Sequence, residues 1–233
     1  INAGGFYIDA SNALGGGGNI VMNGGTFYYS ANFTEDISSR FTNAANQQFR
    51  VNTNGQNITW ANALVSSGGM FHKNGAGALT LSAAGNYSAA STIHQGSLIY
   101  GVHNAVPSGV ALTLNAAIDL NGFNATFANL TGAGTLTSSI AGALTLSVGG
   151  TSDFSNSVVI SDGAGEISFI KQGSGELTLS GASSYTGTTT LSAGTLLVNH
   201  PYAMGLGGDI VFGGGTLQYS RPHNTDYSSP LFI

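Results

Sequence analysis

Catalysis on polysaccharides needs two carboxylates, or a carboxylate with an Arg or Lys base, converging on one bond. The acids that could supply it are Glu35, Asp36, Asp153, Asp162, Glu166 and Glu176. Glu35 and Asp36 are adjacent, and adjacent residues of a strand point to opposite faces, so the pair does not converge. Asp162-Gly-Ala-Gly-Glu166 reads as a turn in which the Asp side chain bonds its own backbone. The acids are therefore expected to be structural. Histidines His72, His94, His103, His200 and His223 show neither i, i+2 nor HxxxH spacing, so no zinc site is expected and they are placed at the surface or at corners. Gly15-Gly-Gly-Gly18 and Gly205-Leu-Gly-Gly-Asp209 lack the following helix that a phosphate loop requires, and the second lacks the tandem nine-residue period of a calcium roll. No Gly-x-Ser-x-Gly elbow is present, which leaves acyl transfer unsupported. The expected sites are thus no catalytic, cofactor-binding or metal site, no cofactor, and no enzyme.

The cations point the same way. Arg40, Arg50, Lys73, Lys171 and Arg221 are scattered, the net charge is −5, and nucleic-acid binding is disfavoured. Lys73 and Lys171 both precede Gly-x-Gly and are read as solvated corner residues. Aromatics remain as a contact surface. If Phe6 and Ile8 point inward then Tyr7 points outward, and if Phe27 and Tyr29 point inward then Tyr28 points outward. Tyr7, Tyr28 and the single Trp60 are taken as the candidate surface contacts, suited to a sugar ring or another protein. Trp60 also has a plainer reading, as padding in a loop across the coil.

Self-similarity shows what must position these groups. Residues 71–100 align without gaps on 169–198, matching Lys73 to Lys171, Tyr87 to Tyr185 and Gly96 to Gly194. Residues 1–43 align on 191–233, with GGNIVMNGGTFYYS over GGDIVFGGGTLQYS. Inside the unit Leu79-Thr-Leu81 returns as Leu98-Ile-Tyr100, and Leu177-Thr-Leu179 as Leu196-Leu-Val198. About twenty residues is one coil of a β-solenoid. The blocks alternate inward and outward, as in Leu177, Thr178 and Leu179, or Leu217, Gln218 and Tyr219, and Gly, Asn and Ser clusters supply the corners. No useful helical period exists, so the fold class is all-β. At ~20 residues per coil and ~4.8 Å per step the chain makes roughly 11 to 12 coils and a rod about 55 Å long. One domain, 1–233, is expected as a window on a longer array, with related units at 71–168 and 169–233 and 1–43 in phase with 191–233.

A solenoid also explains why only 6% of residues are charged while 36 are Gly. Equivalent positions stack ~4.8 Å apart, so a charge in the repeat would sit on its own sign, whereas Thr, Ser and Asn stack freely. Cys is absent, which leaves burial and backbone pairing to hold the fold. No run of 18 apolar residues suggests a membrane helix, and Ile1-Asn2-Ala3-Gly4 does not read as a signal.

Residues 136–199 resemble the autotransporter-associated β-strand repeat, also called the passenger-associated transport repeat. The motifs are Lys171-Gln-Gly-Ser-Gly-Glu-Leu-Thr-Leu-Ser-Gly, Ser184-Tyr-Thr-Gly-Thr-Thr-Thr and Ala193-Gly-Thr-Leu. A degraded copy at 73–100 departs from the pattern at Ala83-Ala-Gly-Asn-Tyr87 and His94-Gln-Gly. Residues 33–60 and 111–137 look like the spacers between such repeats. The resemblance implies a right-handed parallel β-helix exported through the outer membrane to the bacterial surface, and no catalytic site. A surface scaffold or adhesin follows, with end-to-end self-association or host and matrix glycans or proteins as partners. The alternative is a carbohydrate-active or glycan-binding β-helix.

Overall fold

In the computed structural model, which describes residues 1–220, strands separated by about 21 residues stack in parallel into a β-solenoid of about 10 turns. The turns are slightly longer and fewer than the spacing of the Leu blocks suggests, because the spacer between Phe27 and Phe71 adds residues to its corners: Phe27 pairs with Val51, twenty-four positions on. Among the described residues the one helical piece is a single 3-10 turn, Ser38–Arg40.

Each coil has three sides. The first side is a seven-stranded parallel sheet running from Gly5–Tyr7 to Asn129–Thr131, and it continues into Phe154–Asn156 and the strands beyond. Asn156 Nδ2 donates to Leu130 O at 3.1 Å and Ser157 N to Gly132 O at 2.8 Å across that join. The second side begins at Ile58–Trp60 and climbs through Ala78–Leu81, Ser97–Tyr100 and Ala117–Asp119. The third carries Val65–Ser66 and Asn86–Tyr87, then Ala125–Phe127. Two long strands, Thr135–Val148 and Val159–Lys171, bend round a corner, pairing with the second side through their first halves and the third through their last. Register shifts between Leu136 and Ser138, and between Ser138 and Gly142, mark the bend. Such an irregularity interrupts the ladder locally and bends the strand, and pairing resumes beyond it.

The predicted alternation holds within the strands. Leu79 sits on Leu98, and Leu177 on Leu196, as equivalent inward positions one coil apart. Leu79, Leu98, Leu177, Leu179, Leu196 and Val198 are all buried, while Thr80 and Thr178 face out. Leu217 and Tyr219 depart from this, being partly buried and 39% exposed on the last described strand. Outward threonines form the expected ladder, with Thr113 and Thr131 hydroxyls 3.1 Å apart. Corners use left-handed backbone, which Asn54, Asn104 and Asn121 adopt beside the glycines. The early coils are filled by aromatic rings (Phe27, Tyr29, Phe49, Trp60, Phe71), the later ones chiefly by Leu, Ile and Val.

The 30-residue unit does not return to the same side. Its strand Ala78–Leu81 lies on the second side, whereas the equivalent Glu176–Leu179 lies on the first, over Phe154–Asn156. An offset of 98 residues at about 21 per coil is about four and two-thirds turns. The unit therefore encodes a corner and its two flanking strands, whichever side they occupy.

Lysine is what that corner is built around, and the expectation of solvated lysines is overturned. Lys73 and Lys171 are both fully buried. Each lies in an inward column, Val51 and Ile93 flanking Lys73, Val148 and Leu191 flanking Lys171. The Lys73 ammonium donates to Gly75 O at 2.7 Å, Asn74 O at 3.0 Å, Thr53 Oγ1 at 3.0 Å and Gln95 O at 3.1 Å. Lys171 repeats the pattern on Gln172, Gly173 and Ala193 carbonyls at 2.8, 2.9 and 3.2 Å. The glycine one coil later is part of the cage, since a Cβ on Gly96 or Gly194 would stand 2.9 or 2.8 Å from the lysine nitrogen. Both are left-handed. Lys-x-Gly with Gly twenty-three residues on is one physical unit: an ammonium binding the carbonyls of two successive coils. The signature tyrosine is a second such unit, as Tyr87 bonds Ser91 and Tyr185 bonds Thr189, each at 2.8 Å and buried.

Burial lowers the Lys73 ammonium to about 8 from its ordinary 10.5. Between those values the unfolded chain holds a proton that the native chain has shed, so this group adds stability as pH rises from 8 to 10.5. Urea melts at several pH values should show that rise in the parent and not in Lys73→Met. At neutral pH the variant, which orphans buried carbonyls, should lose roughly 1–3 kcal/mol.

Candidate functional site

The side chains that could do chemistry divide into those consumed by the fold and those left on the outer columns. Most of the acids belong to the first group, the exposed Glu166 being an exception. Asp162 accepts from Ile167 N through Oδ1 at 2.9 Å, and from Thr186 N and Oγ1 through Oδ2 at 2.9 and 2.6 Å. Asp36 takes Ser38 N at 2.8 Å and, one coil on, Ala61 N at 2.9 Å. Asp119 takes Asn121 N and Ser139 N. Asp153 accepts from Glu176 N and Glu35 from Asn12 N. These carboxylates close turns and clip neighbouring coils. Among the described residues no three His, Cys, Asp or Glu side chains gather around a metal-sized space.

Two histidines are similarly employed in turns, while His72 lies within the strand Met70–Asn74. His103 Nδ1 accepts from Asn124 N at 2.9 Å, and His200 Nδ1 from Tyr202 N at 3.1 Å. His72 and His94 stack, centroids 6.0 Å apart and planes at 12°. Burial holds the His72 imidazole below its ordinary value, with Arg50 and His94 pushing the same way. His223 and Arg221 lie outside the described residues.

The three aromatics singled out as contacts part company. Tyr7 is 68% exposed, Tyr28 is half-buried, and the rings stack with centroids 4.1 Å apart at 20°. The register sets Tyr7 directly on Tyr28, with Phe6 on Phe27. Ile8 and Tyr29 are buried as expected, but Phe6, on the outermost coil, stays 40% exposed. Trp60 is not a surface residue and its assignment as a contact is corrected: it is fully buried, its Nε1 donates to Tyr29 Oη at 2.8 Å, and its ring packs edge-on to Phe41 at 5.1 Å. The reason is alternation. Ile58 and Trp60 share the inward phase, Thr59 the outward one, and Trp60 pairs with the inward Leu81.

Gly5 lets the tyrosine pair lie flat. A Cβ there would stand 2.6 Å from the Tyr7 ring and 2.9 Å from the Tyr28 ring. The rings therefore lean along the strand toward the column of Gly5 and Thr26, which pair with each other. That column continues on the next strand near Arg50, two residues before the Asn52 that pairs with Tyr28.

Arg50 is the feature that sequence reasoning passed over. Arg40 donates to the carbonyls of Gly18, Gly15 and Leu14, and both lysines are caged. Arg50 faces outward on strand Gln48–Asn52, its Nε is buried, and that nitrogen meets no acceptor. His72 pairs with it on the neighbouring strand. Only the position of Arg50 within the outward phase was legible beforehand. Elsewhere two shallow clefts of about 390 and 380 Å³ share Asn86, Tyr87 and Ser88 on the third side.

Residues 71–99 and 169–198 match the sequence profile of the passenger-associated transport repeat. The chain is 29% identical over 219 residues, 87% of its length, to the adhesin BmaC autotransporter of Brucella suis biovar 1 (strain 1330), and spans about 6% of that protein. No solved structure matches the chain.

If the acids are turn clips, Asp162→Ala should cost roughly 1–3 kcal/mol by leaving native N–H groups unpaired. Chemical denaturation measures it, and a variant as stable as the parent would contradict the assignment.

Proposed function

We propose that this chain, which carries two passenger-associated transport repeats, is a segment of an exported adhesin of autotransporter-passenger type, displayed at the bacterial surface as a non-enzymatic β-solenoid. The observation that carries the reading is similarity over 87% of the chain to an adhesin autotransporter, on a fold made of stacked coils. Residues 1–233 act as one segment of a longer array, and the array is a rod or fibre that places contact columns away from the cell. A parallel solenoid suits this role, because each coil adds length and stability through its neighbours alone. Self-repeating coils also suit crossing a membrane unfolded, since folding can propagate one coil at a time.

Bound carboxylates weigh against the catalytic half of the carbohydrate-active alternative. It requires two carboxylates or a carboxylate and a base on one outer face, and Asp36, Asp119, Asp153 and Asp162 are bound to backbone N–H groups. Glycan contact without turnover remains compatible with the adhesive reading, and the exposed Tyr7–Tyr28 pair favours it.

An antibody raised against the 233-residue chain should stain intact, unpermeabilised cells of the producing bacterium, and protease shaving should remove the signal. Deleting the segment from its parent should reduce adherence to host cells or matrix. Staining only after permeabilisation would refute the reading.

A further inference from the structure

The third side carries two shallow clefts, of about 390 and 380 Å³, on the two flanks of the strand Asn86–Tyr87. The first opens toward residues 107–110 of the next coil, the second toward 65–67 and Asn43 of the coils before. Further coils lie beyond both, Ile20 pairing with Phe41 on one side and Asn104 N donating to Asn124 O on the other, so neither cleft is an end of the stack. Exposed Asn43, Ser67, Asn86, Ser88 and Ser108 stand in the walls, and no Asp, Glu, Lys, Arg or His lines either cleft.

The second repeat shows why the first cleft exists. At the offset of 98 residues, Gly205 and Leu206 stand where Pro107 and Ser108 stand in the first repeat. Leu206 N donates to Tyr185 O at 2.9 Å, and Gly205, left-handed at φ +75°, passes so close that a Cβ would lie 2.2 Å from that carbonyl. Proline holds φ at about −65° and carries the bulk that this approach forbids. The corner therefore stays off Tyr87, and among the described residues no backbone N–H donates to Tyr87 O. Successive residues of a parallel strand turn their backbone groups to opposite neighbours. Asn86 N donates to Leu64 O of the coil before, and Gly85 N to Ala105 O of the coil after. Tyr87, in phase with Gly85, thus presents its N–H and C=O to the first cleft, which it lines.

We infer that the trough from Asn43 to Ser108 is a binding site for a neutral glycan, a chain of uncharged pyranose rings laid along the solenoid axis. The inference rests on the adhesive reading above and gives it a ligand class. Vicinal hydroxyls of one ring match the Tyr87 backbone, one accepting from the N–H and its neighbour donating to the C=O. The Asn86 amide and the Ser88 and Ser108 hydroxyls offer donors and acceptors to the remaining hydroxyls. With no ionic group in the walls, a carboxylated or sulfated glycan would give up hydration and meet no counter-charge. Three coil steps of ~4.8 Å separate Asn43 from Ser108, a trough about 14 Å long that holds a short oligosaccharide.

An extended peptide suits the trough less well. Tyr87 is the one residue of its strand that turns its backbone into the first cleft, so an added strand would gain a single rung of ladder. A sugar ring needs no more than that rung, and its other hydroxyls use the side chains around it.

The test is calorimetric titration of the purified 233-residue chain with cellotriose, mannotriose and chitotriose. Their permethylated forms, trigalacturonic acid and an end-capped pentaserine peptide serve as comparisons. At least one neutral trisaccharide should bind at millimolar concentration, and its permethylated form, which has no hydroxyl to donate, should bind about tenfold more weakly. Pro107→Gly/Ser108→Leu restores the residues of the closed corner and should abolish binding without lowering the melting temperature. Asn86→Ala, which removes an exposed amide and leaves the backbone pairing in place, should weaken binding about tenfold with melting unchanged. Should the corner variant melt early, Asn86→Ala decides the matter. No binding of any neutral trisaccharide would overturn the site. So would equal binding of the permethylated sugar, equal or tighter binding of trigalacturonic acid or of the peptide, a folded corner variant that binds like the parent, or an Asn86→Ala variant that does. Surface staining of cells is independent of these titrations. A chain that is displayed but ignores the neutral sugars loses this site and keeps its adhesive role.

Discussion

Parallel pairing of each strand with its equivalent one coil away is the constraint from which the molecule follows. It obliges every position to sit on a similar position about 4.8 Å along the axis. Apolar columns such as Leu79–Leu98 and Leu177–Leu196 can repeat without limit under that rule. Charged columns cannot, since each residue would face its own sign. The scarcity of charge is therefore a property of the stacking, and each of the charges that remain has to be accounted for singly.

Most of them are accounted for by backbone. Lys73 and Lys171 fill inward positions and donate to carbonyls of their own corner and the next coil. Asp36, Asp119, Asp153 and Asp162 do the complementary work, accepting from N–H groups of turns and of the coil above. Cations thus satisfy orphaned carbonyls and anions satisfy orphaned N–H groups. A corner in a solenoid leaves both kinds of orphan, because the ladder is interrupted where the chain turns. The lysine cage carries an electrostatic cost, which the lowered proton affinity of Lys73 expresses.

Function is confined by the same logic to the outer columns. Side chains that close corners are not free to act on a substrate, and the inner columns are sealed. What the surface retains is a stacked tyrosine pair and an arginine without an acceptor, brought together by strands whose residues are twenty or more apart in the chain. That division accords with the adhesive role proposed above, since many weak contacts on repeated coils add up in affinity.

The coil, the alternation and the all-β class were legible in the sequence because they are periodic, and a period needs no knowledge of distant neighbours. Leu-Thr-Leu followed nineteen residues later by a like triplet already states which residues stack. Even Trp60 and Lys73 carried their inward phase openly, in Ile58-Thr59-Trp60 and Phe71-His72-Lys73. The expectation failed there because residue type was weighed above phase. A lysine reads as solvated until four acceptors, two of them on Thr53 and Gln95 in neighbouring coils, are seen around its nitrogen. Only the tertiary structure could decide that, and only it could show that an offset of 98 residues moves the repeat from one side of the coil to the next. Both depend on how many residues each corner consumes. Corner length decides which distant groups meet, and no local pattern of residue types contains it.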